Sequence, residues 1–268
     1  MILCADDYGQ NLAISTGICE LVAAKRLTAV SCLTTSKTWI TAAALLKPYQ
    51  GQVDIGLHFN LTYGKLITCS SRKHSQLLLN CLLHRMKIED VIRELWSQID
   101  SFVAAMGCNP DFIDGHQHIQ HLPVVREAII EVYSQRFKIN KPYLRLAGVT
   151  QLARLLQRPN KLKQVIIHLT GAKKLQLLCQ KYNIPHNIDF MGIYDFSLKR
   201  NYGQMFKTFL KTITGPALTM CHPGHFSDEP EDAINSIRPK EWDYFNSDQF
   251  LEDLMQANVR LSRFQDLT

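Results

Sequence analysis

The stretch Asp111-Phe-Ile-Asp-Gly-His-Gln-His-Ile-Gln-His121 decides how the rest of the chain is read. Extended, apolar-leaning residues run into Asp114-Gly115, and His116, His118 and His121 follow directly. The chain has ten histidines in all, so this is a local concentration. Imidazole near neutral pH is the commonest metal ligand. A strand ending in a glycine turn is where a barrel or open α/β sheet carries its chemistry. A surface loop rich in histidine has the same composition, so the reading depends on what else in the chain arrives at the same place.

Working outward, strand patterns recur at 1–6, 28–34, 53–61, 112–113, 141–146, 216–220 and 259–261. Helical spacing of apolar residues recurs at 12–25, 39–46, 88–106, 123–135, 205–213 and 247–257, with 150–182 helical but broken at Pro159 and Gly171. The clearest helix is 88–106, where Val91, Leu95, Ile99, Phe102 and Val103 share one face and Gly107 is placed to cap it. Residues 65–85 and 184–203 read as loop-rich. Strand–helix alternation from end to end predicts an α/β fold with a mainly parallel sheet and right-handed crossovers. Polar residues recur just after the strands, which favours a distorted or incomplete (β/α) TIM-like barrel with its site at the strand C-terminal face. No repeat or composition break divides the chain, so 1–268 is expected to form one domain.

Hydrophobic residues make up 46% of the 268 and charged residues 20%, the balance of a folded globular protein. No apolar run approaches the ~18 residues of a membrane span. Met1-Ile-Leu-Cys-Ala-Asp-Asp7 turns acidic at once and reads as a first strand, not a signal peptide. The eight cysteines form no C-x-x-C pair, which excludes a zinc ribbon or thioredoxin motif; they are expected to be reduced and buried, in a cytoplasmic protein. Net charge is +6, concentrated in Arg154, Arg158, Lys161, Lys163, Lys173, Lys174 and Lys181. Leucines between these charges give a core-facing stripe, so the basic residues read as a solvated helix face. Without aromatics at stacking intervals, the stretch does not read as a nucleic-acid site. Neither nucleic acid nor membrane is expected as a partner.

Three further stretches converge on the histidines. Asp6-Asp7 closes the first strand. Neighbours on a strand point to opposite faces, so both carboxylates reach one site only where the chain leaves the strand, and Gly9 suits such a turn. One of the two can then ligate a cation while the other stays free as a base. In Gly56-Leu-His-Phe-Asn-Leu61, His58 lies within an apolar strand and completes an Asp7/His58/His116 set. Nitrogen and oxygen donors of this kind suit Zn²⁺, Fe²⁺ or Co²⁺ and hold Mg²⁺ or Mn²⁺ with extra waters. Three protein ligands leave positions open for water and a carbonyl oxygen. In Cys221-His222-Pro-Gly224 the Pro-Gly turn can aim His222 inward as a general acid outside the metal shell. Arg145 can pair with Asp6 or Asp7 and keep a carboxylate ionised.

Ala-Asp-Asp-Tyr-Gly (5–9), Gly-Leu-His-Phe-Asn-Leu-Thr (56–62), Asp-Gly-His-Gln-His (114–118) and His-Pro-Gly (222–224) occur in that order. With these motifs the chain resembles the YdjC-like carbohydrate deacetylases, which include the ChbG-type chitooligosaccharide deacetylases, over nearly its whole length. The resemblance implies an incomplete barrel akin to the NodB-type polysaccharide deacetylases. It also implies a divalent metal, Mg²⁺ above others, on Asp7, His58 and His116, with Asp6 as base, His222 as acid and Arg145 beside them; Zn²⁺ and Co²⁺ are what the ligand set itself suits. Substrate-side positions are then Phe59 and Asn60, with Asp189, Phe190 and Gly192 in a weaker match, and Phe59, Phe190 and Tyr194 offer aromatic faces to a sugar ring. The expected partner is an acetylated oligosaccharide, and a homodimer is left open. Cys4, Tyr8, Gln117 and His225 depart from residues common in the family, and none of them is a proposed ligand. Two other readings stand beside this one: a phosphoesterase or amidohydrolase using the His116-x-His118 pair, and a carbohydrate-binding relative without turnover.

Overall fold

The computed structural model describes residues 1–68, 73–148, 167–197, 199, 201–229 and 232–267. Seven strands, β1 (Ile2–Tyr8), β2 (Ala29–Cys32), β3 (Asp54–Phe59), β4 (Phe112–Gly115), β5 (Tyr143–Leu144), β6 (Phe190–Met191) and β7 (Leu218–Cys221), pair in parallel in the order β5-β4-β3-β2-β1-β7-β6. Followed along the chain, β1 to β5 run one way round and β6 and β7 lead back to β1, the cyclic order of a barrel. The ring is open between β5 and β6. There Leu144 N–H donates to the Pro185 carbonyl at 2.8 Å, and the Asn187 side chain bonds both the N–H and the carbonyl of Leu146. The segment before β6 thus spans part of the gap, and the fold is the distorted, incomplete (β/α) barrel that the alternation of elements predicts.

The helices among the described residues are α1 (Leu12–Ala23), α2 (Trp39–Leu46), α3 (His74–Leu82), α4 (Ile88–Met106), α5 (Val125–Arg136), α6 (Lys173–Lys181), α7 (Tyr202–Leu210), α8 (Arg238–Asn246) and α9 (Asp248–Gln256). Strand alternation divides the apolar residues into two cores. Ile55, Leu57 and Phe59 on β3 point outward and pack with helix residues such as Leu95 and Phe102. Ile2, Cys4, Phe112, Tyr143, Phe190 and Met220 form the smaller cluster that fills the barrel. Gly56 faces that interior, where a Cβ would collide with the Phe112 ring. On α4, Val91, Leu95, Ile99 and Phe102 are buried at helical spacing, and Gly107 ends the helix at φ 79°, as read from the sequence.

Some expectations change. Residues 259–261 are not a strand: among the described residues they meet the sheet through Met1 alone, whose amino group donates to the Arg260 carbonyl at 2.7 Å, while Ser262 N–H donates to the Met1 carbonyl at 2.9 Å. The strand expected at 141–146 shortens to β5, and β6 lies inside 184–203. Helix α8 has no clear helical signature in the sequence because Arg-Pro-Lys-Glu-Trp-Asp-Tyr has a polar composition, although proline is tolerated in a first turn. Arg154, Arg158, Lys161 and Lys163 lie outside the described residues. Lys173, Lys174 and Lys181 are exposed on α6, opposite buried Leu175 and Cys179. No disulfide joins the seven described cysteines, and five of them are buried. Among the described residues no helix is long and apolar enough to cross a membrane.

Candidate active site

The end of β1 departs from regular pairing. Its register with β2 shifts between Ala5 and Tyr8, and Asp7 takes φ +65°. This is a β-bulge with its extra residue in the left-handed region, which aspartate tolerates better than most side chains. The strand therefore continues to Tyr8, and the reversal expected at Gly9 occurs at Asp7 itself. The bulge cancels the alternation of faces, so Asp6 and Asp7 both line one cleft of about 540 Å³ at the C-terminal ends of the strands.

Asp7, His58 and His116 meet there, each offering one donor atom, all within 4.8 Å of one another. Asp7 Oδ1 lies 3.0 Å from His116 Nδ1 and 3.4 Å from His58 Nε2, and the two nitrogens are 3.4 Å apart. Donors about 2.1 Å from one ion, at tetrahedral to octahedral angles, stand roughly 3.0–3.4 Å apart, so the three residues fit a divalent metal. Asp7 Oδ1 is also buried without a hydrogen-bond partner. His58 is oriented from behind: Asp114, its neighbour in register on β4, stands 2.6 Å from Nδ1, and Ser31 Oγ lies 2.9 Å from Nδ1 and donates to Asp114 at 2.7 Å. A carboxylate on Nδ1 fixes the tautomer that leaves Nε2 free to ligate. His116 opens a helical turn in which Gln117 and His118 take φ 55° and 61°. Two left-handed non-glycine residues in succession cost about 1–3 kcal/mol each, and strain of this kind collects at functional sites.

Two arginines divide the work of the adjacent aspartates. Arg145 grips both oxygens of Asp6, Nη1 on Oδ1 at 2.5 Å and Nη2 on Oδ2 at 2.7 Å, and its Nε lies 2.9 Å from Asp114 Oδ2. Arg238 Nη2 grips only Oδ2 of Asp7, at 2.8 Å, while its Nε donates to Asp232 at 2.6 Å. Burial would raise both carboxyls, but Arg145 and then His58 bring Asp6 down to about 2, and Arg238 and then His116 hold Asp7 well below the carboxylate range. Burial opposes a charge on His58, yet Asp114 and then Asp6 outweigh it and raise its pKa to about 10. With His58 neutral, as a metal ligand must be, four buried aspartates against two buried arginines leave an excess of two negative charges around the Asp7/His58/His116 set. Buried charge of this size calls for a counter-charge, and a divalent cation supplies it.

His222 enters from the turn after β7. Its Nε2 is 3.9 Å from Asp6 Oδ2, and its backbone N–H donates to Glu241 Oε2 at 2.6 Å. His118 also lines the cleft but stays out of the ligand set; its ring meets Phe190 edge-on at 5.7 Å, and burial, then Arg145 and His121, keep it neutral. The His116-x-His118 pair therefore does not converge on one point. His121 is buried and accepts from Ala147 N–H through Nε2 at 3.0 Å.

Asp6, Asp7, His58, His116 and His222 are thus brought together, with Arg145 directly behind Asp6. The five substrate-side positions are not among the residues lining the cleft. Phe59 has no exposed surface and, one residue from inward-facing His58, points to the helix layer. Asn60 is buried and builds the next turn, its Oδ1 accepting from Thr62 and Tyr63 N–H and its backbone N–H donating to Gln98. Asp189 is buried, and its Oδ1 accepts from Phe190 N–H. Phe190 lies inside the barrel against Arg145, 5.6 Å from ring centroid to guanidinium carbon. Gly192, at φ 101°, packs on the Met220 carbonyl where no Cβ fits. What these residues support is in the cleft: Thr62 and Tyr63 after Asn60, and Ile193, Tyr194 and Phe196 after Gly192. Asp114, Arg238 and Glu241 were not assigned roles from the sequence. Asp114 stood in plain view in the Asp-Gly-His motif, opposite His58; the other two lie on helix α8, which has no clear helical signature in the sequence.

Residues 1–256 match the profile of the YdjC-like protein family. A carbohydrate deacetylase of Xenopus laevis is 30% identical over 149 residues, 50% of this chain and 47% of that protein. A chitooligosaccharide deacetylase of Proteus mirabilis is 31% identical over 139 residues, 47% of this chain and 54% of that protein. The matches thus span about half the length of these two relatives. A solved protein from Enterococcus faecalis V583, provisionally assigned to cellobiose-phosphate cleavage, superimposes with a TM-score of 0.72 at 19% identity, over 100% of this chain and 98% of that one, and shares the fold.

Proposed function

The chain belongs to the YdjC-like protein family, and from that footing we propose that it is a metal-dependent hydrolase removing acetyl groups from N-acetylated carbohydrates such as short chitooligosaccharides. The observation that carries this is the convergence of Asp7 Oδ1, His58 Nε2 and His116 Nδ1, with an ionised carboxylate and a free imidazole on Asp6 and His222 beside them. The names of the two relatives give the substrate class.

A divalent ion on that triad supplies Lewis acidity toward the acetyl carbonyl and makes water a nucleophile at neutral pH. Two imidazoles and one carboxylate favour Zn²⁺ or Co²⁺ on ligand chemistry, while Mg²⁺ rests on the resemblance alone. Asp6 stays ionised under Arg145 and accepts the proton of the attacking water. A carboxylate this acidic holds a proton weakly, and His222 Nε2 stands 3.9 Å away to receive it. His222 then protonates the sugar nitrogen as its C–N bond breaks, so one proton travels from water to amine while the new C–O bond forms. Tyr63, Tyr194 and Phe196 provide aromatic surface for the sugar.

Acetate release from N-acetylglucosamine oligomers, with the metal-stripped protein and after adding back Mg²⁺, Mn²⁺, Co²⁺ or Zn²⁺, tests this. Release that depends on one of these ions supports it. Absence of release with all of them sinks it and leaves the carbohydrate-binding relative, checked by sugar binding in the same samples.

A further inference from the structure

Helix α8 brings a second buried charge to the cleft, one turn after Arg238. Glu241 has no exposed surface. Its Oε2 accepts the His222 backbone N–H at 2.6 Å, and its Oε1 accepts the Tyr194 hydroxyl. On the far side of His222, Phe196 sets its ring edge-on at 5.2 Å, from a backbone strained to φ +54°. Burying a carboxylate costs several kcal/mol unless its oxygens are taken up. Here one of the donors that takes them up is the backbone of the candidate acid itself, and another, Tyr194, lines the same cleft.

We propose that Glu241 is the positioning residue for His222: it grips the N–H at the start of the Pro-Gly turn and so directs the imidazole, with Nε2 toward Asp6. The charged groups facing the ring are Asp6 from the end of β1, backed by Arg145, and Glu241 from α8; neutral His118 faces it from the turn after β4. The inference takes its chemistry from the deacetylase reading, but the placement of the ring can be measured without turnover.

The test is Glu241→Gln, an isosteric change that keeps an acceptor for the His222 N–H but removes the charge and disturbs the Tyr194 hydroxyl. With fold and metal content retained, amide hydrolysis is expected to fall about a hundredfold, the scale of a catalytic group displaced by about an ångström. Hydrolysis of 4-nitrophenyl acetate, whose leaving group needs no proton, is expected to change much less. Equal losses on both substrates, or none, overturn the proposal. In parallel, the His222 imidazole NMR signals, assigned by their loss in His222→Ala, are expected to shift in Glu241→Gln; unchanged signals overturn it as well. Should Glu241→Gln fail to fold, Tyr194→Phe keeps the ring but removes the hydroxyl donor from the same carboxylate and is expected to give the same selective loss, about tenfold, and the same ring shift, whose absence is equally fatal. Lack of acetate release by the wild type sinks the deacetylase reading alone, since the ring signals still decide the placement.

Discussion

Arg238 holds Asp7 by one oxygen only: Nη2 lies 2.8 Å from Oδ2, and Oδ1 is left without a hydrogen bond, facing His58 and His116. One residue earlier, Arg145 takes both oxygens of Asp6. A carboxylate closed at both oxygens is a poor metal ligand, and one open at a single oxygen is a directed one. The two arginines therefore assign different work to neighbouring residues of the same type.

The first prediction follows from the triad. His58→Ala and His116→Ala each leave two donors and are expected to lose bound metal and activity together. His118→Ala, whose ring packs on Phe190, is expected to retain the metal. Metal content by elemental analysis after gel filtration decides it; loss in His118→Ala with retention in His116→Ala would mean the wrong imidazole was chosen.

The division between the aspartates gives the second. Asp7→Asn is expected to lose the metal, whereas Asp6→Asn keeps metal and fold yet slows turnover by roughly two to four powers of ten, the usual worth of a general base. Calorimetric metal titration beside initial rates separates them. A fast Asp6→Asn without metal would reverse the roles.

His222 gives the third. An amine is a poor leaving group unless protonated, and a phenolate leaves without a proton. His222→Ala is expected to cut amide hydrolysis by about two to four powers of ten and hydrolysis of an activated acetyl ester far less. Paired rates on the two substrates in both proteins give the answer, and matched losses would recast His222 as a structural residue.

Acid stability gives the fourth. Against the opposing effect of burial, Arg145 and then His58 depress the Asp6 pKa to about 2, from 3.8 for the free side chain. A depressed acid stabilises the fold above the unfolded value and loses that contribution as pH falls through the folded one. At 1.36 kcal/mol per pKa unit the contribution is about 2 kcal/mol, lost between about pH 4 and pH 2. Urea unfolding of wild type and Asp6→Asn at pH 6 and pH 2.5 is expected to show a stability gap at pH 6 that narrows in acid; a gap independent of pH would contradict the pairing with Arg145.

What the sequence determined by itself lies in short-range pattern. The 3.6-residue spacing of 88–106 and the glycine after it give α4 because both act within one helix. The order of strands, helices and strand-end polar residues gives the incomplete barrel, since parallel strands need a crossover between each pair. His58, His116, Asp6, Asp7 and His222 stood out because each ends or follows a strand in a recognisable motif. Tertiary structure alone decided the rest. Phe59 is next to His58 in the chain, yet the pleat turns it to the helix layer while the histidine faces the cleft. Asp6 and Asp7 share a cleft only because a bulge puts Asp7 at φ +65°, and they differ only because Arg145 and Arg238 arrive from 139 and 231 residues away. Glu241 reaches His222 from a helix whose polar face conceals its buried one. Local pattern records which face of an element is apolar; it holds no record of which distant charge will be buried beside which, because that pairing forms only when the barrel closes.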